Sequence, residues 1–352
     1  MITYRVIGLM SGTSLDGVDI AACEYTLENG KWSYLIHYCQ TYPYSIEWKE
    51  KLATLQHSNA LDFSLVNMEY GHFLGKLTNE FIRATNFHGD FIASHGHTIF
   101  HQPERGLTVQ IGAGGAIAAE TGLPVVCDFR SMDVALNGQG APLVPIGDHM
   151  LFSDFDACLN LGGFANISLV SEGNRIAFDI CPVNIVLNTL SGILGLNYDP
   201  GGHYARNGSP EPILLSSLNK LAYYSQSYPK SLGREWAENE FFPLLQNDSI
   251  PVNDLLSTVC EHVAIQVNRS LACYDQAKVL VTGGGTHNHY LMEKIREMGN
   301  HSWIIPTREL IDFKEALVFG FLGVLRWNGE CNILKSVTGS KVNHSGGSIY
   351  LI

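Results

Sequence analysis

Apolar residues along this chain fall into extended runs broken by turn clusters, then recur at helical spacing, and the alternation repeats. Residues 4–10 form an apolar run that stops at Ser11-Gly12-Thr13-Ser14-Leu15-Asp16-Gly17, and residues 18–23 resume an extended pattern. Asp16-Gly17 between two such runs signals a hairpin. A further strand is predicted over 32–39, after the Asn29-Gly30 turn. Helical spacing follows over 47–87, as at Leu61, Leu65, Met68 and Phe73. Residues 91–94 predict a short strand leading into His95-Gly96-His97-Thr98, where Gly96 signals a turn. Residues 107–111 and 125–127 read as two more strands, with a small-residue helix over 113–121 between them.

A second block begins near Phe129 and repeats the opening theme. Residues 157–161 are an apolar strand, Gly162-Gly163-Phe164-Ala165-Asn166 a tight polar turn, and 167–170 the returning strand. A third strand over 175–180 ends near Asp179. Each half therefore opens with a strand–turn–strand unit, a sign of internal duplication. From 210 to 275 the period is mainly helical, ending in a helix over 255–274. A strand at 278–282 runs into Gly283-Gly284-Gly285, and helices are predicted over 289–298 and 313–327. From Gly329 the chain is rich in Gly and Ser, with a final apolar run at 348–352. Strands alternating with helices predict an α/β fold. No low-complexity linker separates the halves, so two domains are expected to pack across a cleft.

The length of 352 residues agrees with two domains. With 45% hydrophobic and 16% charged residues the chain is neither disordered nor fibrous. Its formal net charge of −12 argues against a dedicated nucleic-acid binder, which would present a basic surface. Anionic ligands stay open, because main-chain N–H groups hold phosphate without net positive charge. Eight cysteines with no C-x-x-C pair read as reduced thiols of a cytoplasmic protein. No run reaches the roughly 18 apolar residues of a membrane span, so no membrane partner is expected.

Three Gly-rich turns at strand ends point to a nucleotide, yet the common phosphate motifs fail. The stretch 71–77 lacks the spacing and final residue of a Walker loop. Gly112-Ala113-Gly114 has Ile117 where a dinucleotide fingerprint needs its third glycine, and Gly8-Leu9-Met10-Ser11-Gly12 is not a nucleophile elbow. His95, His97 and His101 have no carboxylate at ligand spacing, so imidazoles bracing a polar pocket are expected there. What remains is a phosphate clamp built from two hairpins. Ser11, Gly12, Thr13 and Ser14 offer small side chains and N–H groups, and Gly162 and Gly163 offer the same from the second half. Asp16 and Asp19 suit a hydrated Mg²⁺ that bridges to phosphate. Bare backbone at Gly283, Gly284 and Gly285 suits a nucleotide's sugar or base. Any one of these turns alone is an ordinary connection; the three together favour a nucleotide.

The run from Gly8 to Gly17 resembles the opening signature of the anhydro-N-acetylmuramic acid kinases, which belong to the superfamily of sugar kinases, Hsp70 chaperones and actin. The likeness continues through Ser94-His95-Gly96-His97-Thr98, Asp128-Phe129-Arg130, Gly138-Gln139-Gly140-Ala141-Pro142, Asn160-Leu161-Gly162-Gly163-Phe164-Ala165-Asn166 and Glu315-Ala316-Leu317. It implies two actin-like (ribonuclease H-like) domains with a nucleotide cleft between them, domain I over 1–129 plus 330–352 and domain II over 130–329. It also implies ATP and Mg²⁺ as cofactors and a homodimer formed through domain II. The implied reaction opens the 1,6-anhydro ring of anhydro-N-acetylmuramic acid with water and phosphorylates O6. Asp179 is the implied general base; Ser11 to Ser14, Asp16, Gly17, Asp19, Gly162, Gly163 and Gly283 to Gly285 are the implied ATP contacts. Thr98, Arg130, Asn160 and Glu315 are the implied sugar contacts. The run Pro229-Lys230-Ser231-Leu232-Gly233-Arg234-Glu235 also matches, with no role attached to it.

Departures from the family pattern cluster in Asp179-Ile180-Cys181-Pro182-Val183-Asn184, where Cys181 replaces a glycine and Val183 a small residue. Asn188 replaces an aspartate, and Asp199-Pro200-Gly201-Gly202-His203 lacks the second acid of Asp-x-Asp-Gly-Ala. Two alternatives therefore stand beside the kinase reading: a relative with altered sugar preference, and an ATP-binding protein without turnover.

Overall fold

The first predicted hairpin forms and is longer than its apolar runs. In the computed structural model, which describes residues 1–247 and 249–352, β1 (Ile2–Ser11) pairs antiparallel with β2 (Gly17–Glu28), from Ile2 opposite Leu27 to Met10 opposite Asp19. β2 pairs in turn with β3 (Lys31–Pro43). Asn29 (φ 52°) and Gly30 (φ 79°) are both left-handed, the geometry that matches a tight turn to strand twist. The Asp16-Gly17 turn departs from its prediction. Gly17 already lies in β2 opposite Pro43, and the left-handed residue is Leu15 (φ 59°), a strained conformation for a side chain of that size.

β4 (Phe91–Gln102) runs parallel to β1, with Val6 opposite Phe91 and, after a shift in register, Ser11 opposite His97. The predicted turn at Gly96 is absorbed into this strand as an irregularity (φ 73°). β5 (Leu107–Ile111) pairs antiparallel with the far end of β4. β6 (Val125–Cys127) lies parallel on the other side of β4, and the C-terminal strand Ser348–Tyr350 closes against it.

The second sheet comprises β7 (Ala157–Leu161), β8 (Phe164–Ser171), β9 (Asn174–Pro182), β10 (Lys278–Thr282) and β11 (Ser302–Ile304). Its order, β11-β10-β7-β8-β9, repeats the first sheet's β6-β4-β1-β2-β3. In both, three antiparallel strands are followed by two parallel ones. The predicted duplication is thus a duplication of topology, and both units are α/β.

The compact units are 1–152 with 313–352, and 153–312. Residues 130–152 and 313–329 thereby fall in the first unit, where the sequence placed them in the second. The cause is the helix Arg308–Trp327. A Cβ on Gly8 would lie 2.1 Å from the Ala316 carbonyl oxygen, so only glycine lets β1 pack this closely on that helix. A buried Lys314–Asp148 ion pair at 2.7 Å ties the same helix to the short helix Pro145–Met150.

The long helix Ala60–Thr85 starts at Asn59, whose side chain accepts the Asp62 N–H at 2.9 Å, and stops at left-handed Asn86. It buries Tyr70, Leu74 and Phe81, whereas Leu61, Leu65 and Met68 of the predicted stripe are exposed. The buried face is set by contact with the small-residue helix Gly114–Thr121 and by the sheet, both distant in sequence.

Asp148→Ala would leave the Lys314 ammonium buried without its carboxylate. The expected loss is about 3–5 kcal/mol of stability, read as a lower urea midpoint. An Asp148→Leu, Lys314→Met pair should lose much less, because apolar packing replaces the two charges together.

Candidate active site

At the end of β1, Ser11 is buried and its hydroxyl is committed. Its Oγ lies 2.5 Å from the Tyr44 hydroxyl and 2.7 Å from His97 Nδ1, and Tyr44 in turn bonds Tyr70. Burial raises the pKa of both tyrosines and lowers that of His97 to about 4, so the network is neutral near pH 7. Ser11 is therefore a brace for the turn, and its side chain is turned inward. The next residues differ: Thr13 and Ser14 are exposed, and the turn closes through the Leu15 N–H on the Gly12 carbonyl at 3.3 Å. Asp16 is exposed, while the half-buried Asp19 accepts a hydrogen bond on Oδ1 from Thr41 Oγ1 at 2.6 Å.

The histidines of β4 hold other groups rather than one another. Arg130 Nε donates to His95 Nε2 at 3.0 Å, so the imidazole proton sits on Nδ1, 2.9 Å from the Gly96 carbonyl. Arg130 Nη1 donates to the Gly140 carbonyl at 2.6 Å. Burial, then the charge of Arg130, pushes the His95 pKa well below its ordinary value. Burial also lowers Arg130, but only to about 10, so it stays charged at neutral pH. Glu315, exposed on the helix beside the Gly8 contact, attracts Arg130 electrostatically. Thr98 Oγ1 accepts from Gln110 Nε2 at 3.3 Å, which also donates to Thr108 at 2.9 Å. Gln110 lies in Val109-Gln110-Ile111-Gly112, a run that also resembles the family pattern and to which the sequence attached no role.

In the second unit Gly162 and Gly163 join β7 to β8. The Gly163 carbonyl accepts the N–H groups of Val183 (2.8 Å) and Ile185 (3.2 Å), and the Gly162 carbonyl accepts that of Asn184 (3.2 Å). This turn therefore caps the N-terminus of the helix Asn184–Ile193. Gly283 (φ 86°) lies against it: a Cβ there would sit 2.6 Å from Asn160 Oδ1 and 2.7 Å from the Leu161 carbonyl oxygen. The two glycine turns thus stand side by side with Asn160 beneath them. Gly163 and Gly284 are exposed, whereas Gly285 is buried.

Register aligns Thr282 with Asn160, Asn160 with Asn166, and Asn166 with Asp179, a polar row across four strands. Asn166 is a member that sequence reasoning quoted without a role. Asp179 lies within β9 rather than at its end, because the strand continues to Pro182 through a bulge opposite Ala165 and Asn166. Its Oδ2 accepts the Leu232 N–H at 2.8 Å, and its carbonyl accepts the Tyr223 hydroxyl at 2.6 Å. Burial raises the Asp179 pKa above the usual carboxylate value and the Leu232 N–H pulls it back. Its neighbours Phe178 and Ile180 line a cavity of about 300 Å³ with Tyr228 and Arg269.

Of the expected sugar contacts, Thr98, Arg130 and Glu315 belong to the first unit and Asn160 to the second. The departures from the family pattern point inward. Cys181 and Val183 are fully buried in the core of the second unit, and neither has a left-handed φ, so the glycine of the pattern is not required for backbone conformation. Asp199 accepts the N–H groups of Tyr204 and Ala205, both at 2.9 Å, and so stabilises a helix start. Asn188 is exposed. Among the described residues, no group of three or more His, Cys, Asp or Glu could hold a metal ion, and no helix is long and apolar enough to cross a membrane.

A family model described as anhydro-N-acetylmuramic acid kinase matches residues 4–352. The chain belongs to that family. The anhydro-N-acetylmuramic acid kinase of Aliivibrio fischeri is 34% identical over 367 residues, covering 98% of this chain and 99% of the relative. That of Vibrio cholerae is 33% identical over 368 residues, covering 98% and 97%. Among solved structures, an activator of 2-hydroxyisocaproyl-CoA dehydratase from Clostridium difficile with bound ADPNP aligns at TM-score 0.44 and 13% identity, over 92% of this chain and 97% of that one. A ROK family glucokinase from Streptomyces griseus in complex with glucose and AMPPNP aligns at TM-score 0.40 and 11% identity, over 90% and 98%.

His97 is neutral when folded and titrates at about 4, against an ordinary value of 6.5. Between those values the unfolded chain binds the extra proton, so stability falls as pH drops from 6.5 towards 4. The His97 share of that fall is roughly 3 kcal/mol. It is measured as the difference in slope between the native chain and His97→Asn in urea titrations across that range.

Proposed function

We propose that this member of a kinase family is an ATP-dependent kinase of 1,6-anhydro-N-acetylmuramic acid. It would make N-acetylmuramic acid 6-phosphate and ADP in cell-wall recycling. The observation that carries the reading, within a family match over nearly the whole chain, is Asp179. Its carboxylate is partly buried, its pKa is raised, and one of its oxygens is already held by a main-chain donor. A raised proton affinity and a carboxylate held by a main-chain donor suit a general base.

In this reading Asp179 takes a proton from water while the hydroxide adds to C1. The C1–O6 bond breaks with its electron pair going to O6. The O6 oxyanion attacks the γ-phosphorus and ADP leaves with the bridging oxygen. Positioning and charge neutralisation carry the second half of the reaction. The proposal assigns phosphate contacts to the main chain of Gly12, Thr13 and Ser14, to Gly17, and to the Gly162-Gly163 turn. It assigns the nucleoside to Gly283, Gly284 and Gly285. Arg130 suits the lactyl carboxylate, because its Nε and Nη1 contacts to His95 and Gly140 fix the plane of its fork. Thr98, Asn160 and Glu315 are the remaining proposed sugar contacts.

Mg²⁺ would neutralise phosphate charge when bound. Exposed Asp16 and Thr41-anchored Asp19, three residues apart on one hairpin, fit a hydrated ion held through water. A cytoplasmic location agrees with eight free cysteines. A homodimer through residues 153–312 agrees with exposed Ile193, Tyr198 and Ile213 in that unit, and sedimentation velocity reads it directly. Of the departures, Cys181 and Val183 lie in the core, which favours the family's own substrate over an altered sugar.

The test is ADP release with and without the anhydro sugar. Sugar-dependent ADP release is expected, and Asp179→Asn should lower it by roughly 10²–10⁴-fold while ATP binding persists. ATP binding with no sugar-dependent release would instead fit a non-catalytic ATP-binding protein, and native turnover in Asp179→Asn would remove the base assignment.

A further inference from the structure

The run Pro229 to Glu235 has no part in the reaction described above, yet it lies along the outer edge of β9. β9 is the last strand of its sheet, and an edge strand needs a cover for its open N–H and C=O groups. An ordinary cover would exchange main-chain bonds only. Here the first bond is of that kind: the Asp179 N–H donates to the Lys230 carbonyl at 3.3 Å. The second is not. Two residues on, the Leu232 N–H passes over the main chain and donates to the Asp179 side chain, at Oδ2. Asp179 Oδ1 meets no donor among the described residues, and the carboxylate stays partly exposed.

We propose that residues 228–232 form a strap that positions the general base: the Leu232 N–H fixes Oδ2 of Asp179, so that Oδ1 is the oxygen presented to water. The inference rests on the reading of Asp179 as the base. The strap is itself pinned at several points. Lys230 Nζ donates to the Tyr223 carbonyl at 3.3 Å and lies 4.6 Å above the Tyr223 ring, and the Tyr223 hydroxyl holds the Asp179 carbonyl. Tyr228 stacks on Phe178, the residue before Asp179, with centroids 6.1 Å apart and planes at 11°. The strap is thus tied to the residue preceding the base, to its main chain and to one of its oxygens. Those ties leave the carboxylate a single orientation. The same N–H favours the ionised form, opposing the burial that favours the neutral one.

The variant that isolates the strap replaces the Leu232 amide by an ester, leucine's α-hydroxy acid incorporated at 232, which removes the N–H and keeps the side chain. Leu232→Pro is the genetic equivalent and Leu232→Ala the control that keeps the N–H. In the ester variant the acid limb of the kcat/KM profile should move up by roughly half to one pH unit. Its kcat should fall roughly 10- to 100-fold, with KM for ATP unchanged. Leu232→Ala should keep the native acid limb. An ester variant with the native acid limb and kcat would overturn the proposal, as would Leu232→Ala shifting the limb as far as the ester. Asp179→Asn, run alongside, separates the two readings. If it abolishes turnover while the ester changes nothing, only the strap fails; if it turns over normally, the base assignment fails and takes the strap with it.

Discussion

Parallel pairing of the first and fourth strands in each sheet is the constraint on which the rest depends. Parallel strands bring their carboxyl ends to the same edge, and the loops that leave them emerge together. In the first unit that edge sets Ser11, at the end of β1, opposite His97. In the second it sets Asn160 opposite Thr282, so that the turns after β7 and β10 touch at Gly283. Two stretches more than a hundred residues apart become one surface of bare main chain, and no side chain has to bridge them. The same topology, used twice, gives each unit its own glycine-rich, polar edge.

What those edges contain is mostly neutral. Buried tyrosines, a buried serine and imidazoles with depressed pKa values occupy the floor of the first unit's edge, where a charge would have to be paired or expelled. One group there keeps its charge against burial. Arg130 does so because guanidinium basicity leaves it protonated even when lowered to about 10. In the second unit, burial raises the Asp179 pKa and a main-chain donor offsets part of that rise.

Local pattern was enough wherever an element ended at a turn residue. The strands Leu107–Ile111, Val125–Cys127, Ala157–Leu161 and Lys278–Thr282 stop where the sequence reading stopped them, each bounded by Gly, Pro, Asp or Ala. It failed where a distant partner decided. β4 continues through His95-Gly96-His97 because β1 and β5 supply ladder partners there. The stripe Leu61, Leu65 and Met68 is apolar and helical but faces out, since the inner face is chosen by the helix Gly114–Thr121. The border between units could not be read at 329, because the helix that crosses it is held by Gly8 and Asp148. In the site, glycine turns and acids announce themselves by residue type. Gln110, Asn166 and the Leu232 N–H do not, because their part comes from register and from main-chain groups that every residue carries.

That last distinction bears on the departures around Asp179. Cys181 and Val183 are one bulge and one turn beyond the acid, and both side chains point into the core of the second unit. Enlarging small residues there changes packing behind β9, which a core absorbs through neighbouring rotamers if total volume is kept. The carboxylate is oriented from the other side, by a strap anchored on main-chain atoms and on Tyr223. A carboxylate held from the front tolerates repacking from behind. Sequence distance from a family pattern at 181 and 183 therefore measures how the core was filled, whereas the hydrogen bonds of Asp179 include those with Lys230 and Leu232, in a run that does match the family.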